Sequence, residues 1–405
     1  MILGFGCIWL APNFAMIIIG RLLAGLSCGL ISGTAPTYVV EISTESIRGM
    51  LGAGFQVRHD YRLSLLRLQE LIGLIFQLCV TIGILFSFVF GAIISWKWLS
   101  FICIFPALAM SVLMLLMPET PIWLMTKAKG DHSTGSEAEK ALKKLRAATN
   151  DNDSELQEMA EGVAKSSKSK SFSMEESKNP LFYKPLILSV LLMFFQQFSG
   201  INAVMFNSEA ILKEAGSTLT PSIATICIGV AQVIATLIGT QLIDRLGRKM
   251  LLIGSGAGHA VSLGLLGIYN VFELKDSVGW LPVVCLVVFI ISFSLGWGPI
   301  PWLMVGEITP MKFRSMVSAV STAVNWGSAF VITHNFAALQ EATSKEFAFF
   351  TFTFFSVVSI PFVVMFLPET KGKSFDEILR HFAKDVPKSE ENDDKIEMKG
   401  LNEEK

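Results

Sequence analysis

The sequence predicts an all-α protein that crosses a membrane many times and consists of two related halves. Three observations carry this. The 405 residues are 52% apolar and only 17% charged, with a mean hydropathy of +0.54, whereas soluble domains carry about 25% charge. Ten runs contain no Asp, Glu, Lys or Arg: 1–20, 22–40, 71–96, 98–118, 185–208, 215–243, 250–272, 277–306, 315–340 and 347–367. Short motifs at the ends of these runs occur twice in the chain.

Each run is judged by length. A helix needs about 20 apolar residues to cross the hydrocarbon core. Only helices or closed barrels satisfy every backbone amide within lipid, and the runs lack the short alternation of barrel strands. Residues 1–10 make half a crossing and end at the turn Ala11-Pro12-Asn13; the next helix runs from about 14 to 40 with Arg21 eight residues inside it. Segment 125–184 holds amphipathic stretches such as Glu139–Arg146, read as short helices whose Lys and Glu form a solvated face. Residues 384–405 are charged and poor in apolar groups, which predicts disorder.

The connections alternate in charge. Arg48, the segment 125–184, Arg245 with Arg248 and Lys249, Lys312 with Arg314, and Lys371 with Lys373 fall on one side. Basic loops remain in the cytoplasm, so the C-terminus is expected there. A net charge of −1, from 33 basic and 34 acidic residues, gives no nucleic-acid footprint. The six cysteines all lie inside apolar runs and read as buried small apolar residues. There is no CxxC, no nearby His pair, and no nucleophile–base set or phosphate loop; no metal, cofactor or enzymatic activity is implied.

Val40-Glu41-Ile42-Ser43-Thr44-Glu45-Ser46-Ile47-Arg48 parallels Gly306-Glu307-Ile308-Thr309-Pro310-Met311-Lys312-Phe313-Arg314, and Pro118-Glu119-Thr120 recurs as Pro368-Glu369-Thr370. Such duplication marks two six-helix halves. Glu307 to Glu369 spans 62 residues, but Glu41 to Glu119 spans 78. The excess points to segment 57–77, which is charged where the second half is apolar. Val57, whose codon begins GT, and Phe76-Gln77, which TTTCAG can encode, fit the two ends of an unspliced intron; the alternative is a genuine amphipathic insertion. The first-half counterpart of Asp244–Lys249 would precede Met1. The reading is therefore a fold missing helices 1, 2 and part of 3, with a membrane half at 1–124, a helical loop at 125–184, a second membrane half at 185–367 and a tail at 368–405.

Six motifs in order carry a family resemblance: Gly20-Arg21 with Pro36–Glu41 and Arg48-Gly49; Pro118-Glu119-Thr120-Pro121; Gln196-Gln197-Phe198-Ser199-Gly200-Ile201-Asn202-Ala203; Asp244-Arg245-Leu246-Gly247-Arg248-Lys249; Gly298-Pro299-Ile300-Pro301-Trp302; and Pro368-Glu369-Thr370-Lys371-Gly372. The chain resembles the sugar porter branch of the major facilitator superfamily, with wording in the tenth and eleventh helices most similar to insect facilitated trehalose transporters. The resemblance implies the major facilitator fold and facilitative transport of trehalose, or of a hexose such as glucose, across the plasma membrane by a monomer. Its partners would be a small sugar and the lipid bilayer.

A sugar is a ring of hydroxyls with apolar C–H faces. Amides suit it because each offers two donors and an acceptor without charge, and aromatic rings cover the C–H faces. Gln196, Gln197 and Asn202 supply amides on one helix, which Gly200 would loosen; contact between helices is the other reading of such a cluster. The resemblance adds Gln232, Asn325, Trp326, Trp302 and Phe293 as substrate contacts. It also places Glu41, Arg48, Glu119, Asp244, Arg245, Arg248, Glu307, Arg314 and Glu369 in a cytoplasmic gate. Gly296, Gly298, Pro299 and Pro301 break one helix and read as a hinge, or as a fixed kink.

The chain also departs from the family. Ser294 stands where mammalian glucose carriers have Glu, Phe88 where they have a helix 5 Gln, and Ile122 where they have an Arg. No acid lies in any charge-free run, which leaves Arg21 as the formal charge within a helix and favours uniport over proton coupling; His259 and His334 are the titratable groups left in helices. A proton-coupled symporter, a non-transporting sugar receptor and a non-functional fragment remain as alternatives.

Overall fold

The computed structural model describes residues 1–42, 77–127, 136–145, 156–157, 160, 176–216, 220–272, 278–310, 313–373 and 375–383. Among these, eight helices are long and apolar enough to cross a membrane, joined by a shorter apolar helix at Gln77–Ile93. Nine of the ten charge-free runs each coincide with one of these helices, while the run 1–20 takes in the short helix Ile2–Trp9 and the start of the span at Phe14–Ser32. The chain divides into two compact units: residues 1–72 with 89–172, and residues 73–88 with 173–405.

In the first unit, α1 (Ile2–Trp9) turns at Ala11-Pro12-Asn13 into α2 (Phe14–Ile42). The Asn13 side chain accepts from the Met16 amide at 3.1 Å and caps α2. The two helices cross at Gly4, Gly20 and Ala24. A Cβ on Gly4 would sit 2.8 Å from both Ala24 N and Gly20 O, so small residues let the backbones touch. Helix α3 (Gln77–Ile93) belongs to the second unit as far as Phe88 and to the first from Val89. It leads into α4 (Trp96–Ile102) and α5 (Ile104–Leu116), then α6 (Pro121–Lys127).

Helix α7 (Glu137–Leu145) has its own small core, where Ala138 and Leu142 meet Met125, Leu156 and Ala160. One expectation fails here. Glu139 is buried rather than solvated, paired with Lys143 at 2.5 Å. It shares a helix face with Leu142, three residues on, and its buried charge is matched by that lysine.

The second unit comprises α8 (Pro180–Phe198), α9 (Ile201–Glu214), α10 (Pro221–Leu246), α11 (Arg248–Val271), α12 (Leu281–Leu295), α13 (Ile300–Ile308), α14 (Arg314–Ala342) and α15 (Lys345–Phe366). Helix α11 packs along α12 and α15, α8 along α14, and α10 along α12. The core is drawn from all of them, with Leu192, Ile228, Leu252, Leu263, Phe289, Ile290, Met304 and Val363 among its members. A further helix, α16 (Phe375–Ala383), lies in the segment assigned to the tail. It buries Ile378 and Phe382 in this core, and Lys184 Nζ donates to Phe382 O at 3.3 Å.

The cysteines correct the sequence reading. Only Cys285 is buried; Cys79 and Cys227 are exposed and Cys7, Cys28 and Cys103 are half-buried. In a membrane helix an apolar residue need not face the protein, because lipid surrounds the outer face. Three expectations lie outside the described residues: the backbone of segment 57–76, Arg48, and the tail 384–405. The side chains of Glu41 and Asp244 lie outside them as well.

Candidate functional site

The site is built where α8 gives way to α9. The Gln196-Gln197-Phe198-Ser199-Gly200 run ends the helix because Ser199 Oγ donates to Gln196 O at 2.7 Å, taking a carbonyl at the helix terminus. Gly200 then turns left-handed, at φ +86, a conformation that costs any residue with a Cβ. Its missing side chain leaves room for the Phe352 ring, which a Cβ would meet at 2.6 Å. The chain re-enters helix at Ile201, and this turn carries Asn202 back over Gln197.

Four amides form a chain with one direction of donation. Asn202 Nδ2 donates to Gln197 Oε1 at 2.6 Å. Gln197 Nε2 donates to Asn325 Oδ1 at 3.0 Å. Asn325 Nδ2 donates to Gln196 Oε1 at 2.6 Å. Gln196 Nε2 donates to Trp297 O at 2.7 Å and to Gly298 O at 2.9 Å. Gln196, Gln197 and Asn325 are buried while Asn202 is half-buried. The chain thus has a sealed end at Gln196, both N–H groups engaged, and a more open end at Asn202. Beside it, Phe194, Phe198, Val324, Gly327, Ser328 and Val331 line an open apolar groove between α8 and α14.

The sealed end meets the break between α12 and α13. Gly296 N and Gly298 N both donate to Phe293 O, at 3.2 and 2.7 Å. Gly296 lies so near α11 that a Cβ would be 2.6 Å from Leu251 O. Between the two glycines Trp297 is 1% exposed. Its indole Nε1 donates to Leu252 O at 3.1 Å and its amide to Ser255 Oγ at 3.2 Å, while Ser255 Oγ donates to Ser292 O at 2.6 Å. The four expected hinge residues therefore divide. Gly296 and Gly298 are packed tightly, and helix resumes only after Pro299.

The remaining substrate-contact expectations are placed as follows. Phe293 is buried, its ring stacked 6.0 Å from that of fully buried His259. Gln232 is buried, and its Oε1 meets no donor among the described residues, so it stands apart from the amide chain. Ser294 Oγ is likewise without a partner among the described residues. Trp302 and Trp326 are 40% and 45% exposed and take no part in the chain. Arg21 is exposed on α2.

At the end of the second unit near Gly247, three of the charged residues expected in a gate, Arg248, Glu307 and Glu369, lie together. Arg248 Nη2 pairs with Glu307 Oε1 at 2.8 Å, and Thr370 Oγ1 donates to Glu307 Oε2 at 2.6 Å. Glu369 accepts from the backbone amides of Arg248, Lys249, Thr370 and Lys371 at 3.0–3.1 Å. Two of these amides open α11, so the carboxylate sits at the positive end of a helix. Burial alone would raise the Glu369 carboxyl, but those four donors outweigh it and hold it below the usual carboxylate range. Lys371 Nζ donates to Arg245 O at 2.5 Å. Arg314 opens α14 and is partly buried, and Glu119 is exposed in the first unit.

Sequence reasoning missed Trp297, Ser255 and Thr370. One signal was available for the first: Pro301 has no N–H, so the carbonyl four residues earlier, that of Trp297, needs a donor from elsewhere. Nothing in the sequence names that donor.

This architecture is the major facilitator fold. A partially occluded, inward-open xylose transporter, XylE from E. coli, aligns with a TM-score of 0.67 at 22% identity, covering 92% of this chain and 79% of that one. A double-tryptophan XylE mutant aligns at 0.65 and 24%. Residues 1–59 and 66–382 match the family model described as "Sugar (and other) transporter", and the chain belongs to that family. The match is interrupted inside segment 57–77. Among curated relatives, a facilitated trehalose transporter of Culex quinquefasciatus is 39% identical over 91% of this chain and 68% of its own length. One of Anopheles gambiae is 39% identical over 93% of this chain, and a homolog in Drosophila simulans 38% over 93%. This chain spans 44% of the Anopheles protein's length and 73% of the Drosophila protein's.

Proposed function

We propose that this protein carries trehalose, or a hexose such as glucose, across the plasma membrane down its gradient by alternating access. The observation that carries this reading is the uncharged amide chain with its open end at Asn202. A sugar hydroxyl can accept from the second N–H of Asn202 or Gln197 and donate to Asn202 Oδ1, so the ring exchanges water for amides one bond at a time. Neutral partners hold such a ligand without the cost of burying charge in a membrane. The apolar groove beside Asn325 offers a surface for C–H faces. Family membership supports a sugar as cargo, and the relatives' names support trehalose.

Gln232, Phe293, Trp302 and Trp326 complete the sugar site in this reading, with Trp302 closing over the sugar as the helix beyond Pro299 swings. Glu41, Arg48, Glu119, Asp244, Arg245, Arg248, Glu307, Arg314 and Glu369 form the gate on the cytoplasmic face, where the C-terminus also lies. Ion pairs of this kind contribute little to stability singly, yet they bias a two-state equilibrium set by a few kcal/mol. The carrier acts as a monomer and forms no covalent intermediate.

The test is uptake of labelled trehalose and of labelled D-glucose into proteoliposomes holding the protein expressed from its native transcript. Saturable uptake of one sugar, accelerated by the same unlabelled sugar inside, is the expected result. Binding without flux would replace the carrier by a receptor, and neither binding nor flux of either sugar would refute the reading.

A further inference from the structure

Gln196, one of the three amides expected to contact the sugar from one helix, has no donor left for it. Both N–H groups of Gln196 are engaged, on Trp297 O and Gly298 O. These two carbonyls belong to the break between α12 and α13. The i→i−4 rungs that flank them are made: Ile300 N donates to Gly296 O at 3.1 Å and Leu303 N to Pro299 O at 3.2 Å. Two rungs lie between, one from Trp302 N to Gly298 O and one from residue 301 to Trp297 O, and neither is formed. Residue 301 is a proline, which has no N–H to give. Gln196, 101 positions away in sequence, provides the donor that Pro301 lacks. A buried carbonyl left unpaired at this depth would be costly, and Trp297 is itself fixed on its other side by Ser255 and Leu252.

We infer that Gln196 is a positioning residue that replaces the backbone rung deleted by Pro301, and that the amide chain links occupancy at Asn202 and Gln197 to the set of the α12–α13 kink. The link is chemical and directional. A sugar hydroxyl that accepts from the second N–H of Gln197 re-aims the amide whose first N–H donates to Asn325 Oδ1. Asn325 is the residue that donates to Gln196 Oε1, and Gln196 holds the kink. Sugar engagement at the open end is thereby transmitted, one amide at a time, to the point where α13 and Trp302 begin. The second half of this inference rests on the carrier reading; the first half, the replacement of the rung, does not.

The test is a double-mutant cycle on Gln196→Met and Pro301→Ala. Methionine keeps the length of the side chain and removes both donors, whereas alanine at 301 restores the N–H. Unfolding of the purified protein in detergent reads the first half without any sugar. Pro301→Ala is expected to raise the unfolding midpoint more in the Gln196→Met background than in the wild type. If Gln196→Met alone does not fold, recovery of folded protein in the double variant is the same result. An equal effect in both backgrounds, or a double variant that folds no better than Gln196→Met, overturns the inference.

Labelled trehalose flux reads the second half. Gln196→Met should lower the maximal rate by about 5- to 150-fold, the range expected for one unpaired buried group, with the half-saturating concentration changed less than by Asn202→Ala. A raised half-saturating concentration at an unchanged maximal rate would return Gln196 to direct sugar contact. Wild-type protein that carries no sugar would refute the carrier reading and leave the unfolding cycle to decide the role of Gln196.

Discussion

Replacing Gly200 by alanine tests the turn on which the site depends. The backbone there is left-handed at φ +86, which costs a residue with a Cβ about 1–2 kcal/mol. The added methyl would also meet Phe352 Cγ and Cδ2 at 2.6 Å, and overpacking of a core costs about 1–3 kcal/mol. A smaller unfolded-state gain of about 0.4–1 kcal/mol opposes these, so the net loss is about 1–4.6 kcal/mol. The Asn202 bond to Gln197, at 2.6 Å, should lengthen as the turn shifts, and sugar affinity should fall with it. The assay is equilibrium unfolding of the detergent-solubilised protein, paired with sugar binding. In a Phe352→Ala background the steric part disappears and the cost of Gly200→Ala should shrink to the dihedral part alone. A Gly200→Ala protein within about 0.5 kcal/mol of wild type, the scatter of an inert surface change, would refute the strain argument. A cost unaltered by Phe352→Ala would refute its steric half.

Asn202→Ala should weaken sugar binding by about 1–3 kcal/mol, because Gln197 Oε1 loses its donor along with the sugar contact; unchanged half-saturation in uptake would remove Asn202 from the site. Glu369, whose carboxyl is held low, stabilises the native state at pH values above the ordinary carboxylate value of 4.5. That contribution disappears as pH falls through its own lowered value. Glu369→Gln should therefore lower the unfolding midpoint at pH 7 and flatten its decline in acid; a decline as steep as wild type would show that another group titrates. Uniport predicts that an imposed pH gradient drives no sugar accumulation above the outside concentration. Accumulation abolished by a protonophore would establish proton coupling.

The helices, their order and their ends could be read from the sequence because the membrane imposes a one-dimensional rule. Charge is excluded over about 20 residues, and the interruption of that exclusion marks each end. The break at Ser199-Gly200 and the kink at Gly296–Pro301 were also legible, since glycine and proline act on their own backbone. What surrounds a side chain was not legible. Composition cannot tell an exposed Cys79 or Cys227 from a buried Cys285, because both faces of such a helix are apolar. Nor did the charge pattern of α7 reveal that Glu139 is buried beside Leu142. The amide residues were found from sequence, but their division of labour was not. Whether Gln196 meets a sugar or Trp297 O depends on the rotation of α8 against α13 and α14, set by packing among residues more than a hundred positions apart. A hydrogen bond requires a partner within about 3 Å along a narrow range of directions, and only the tertiary structure decides which partner stands there.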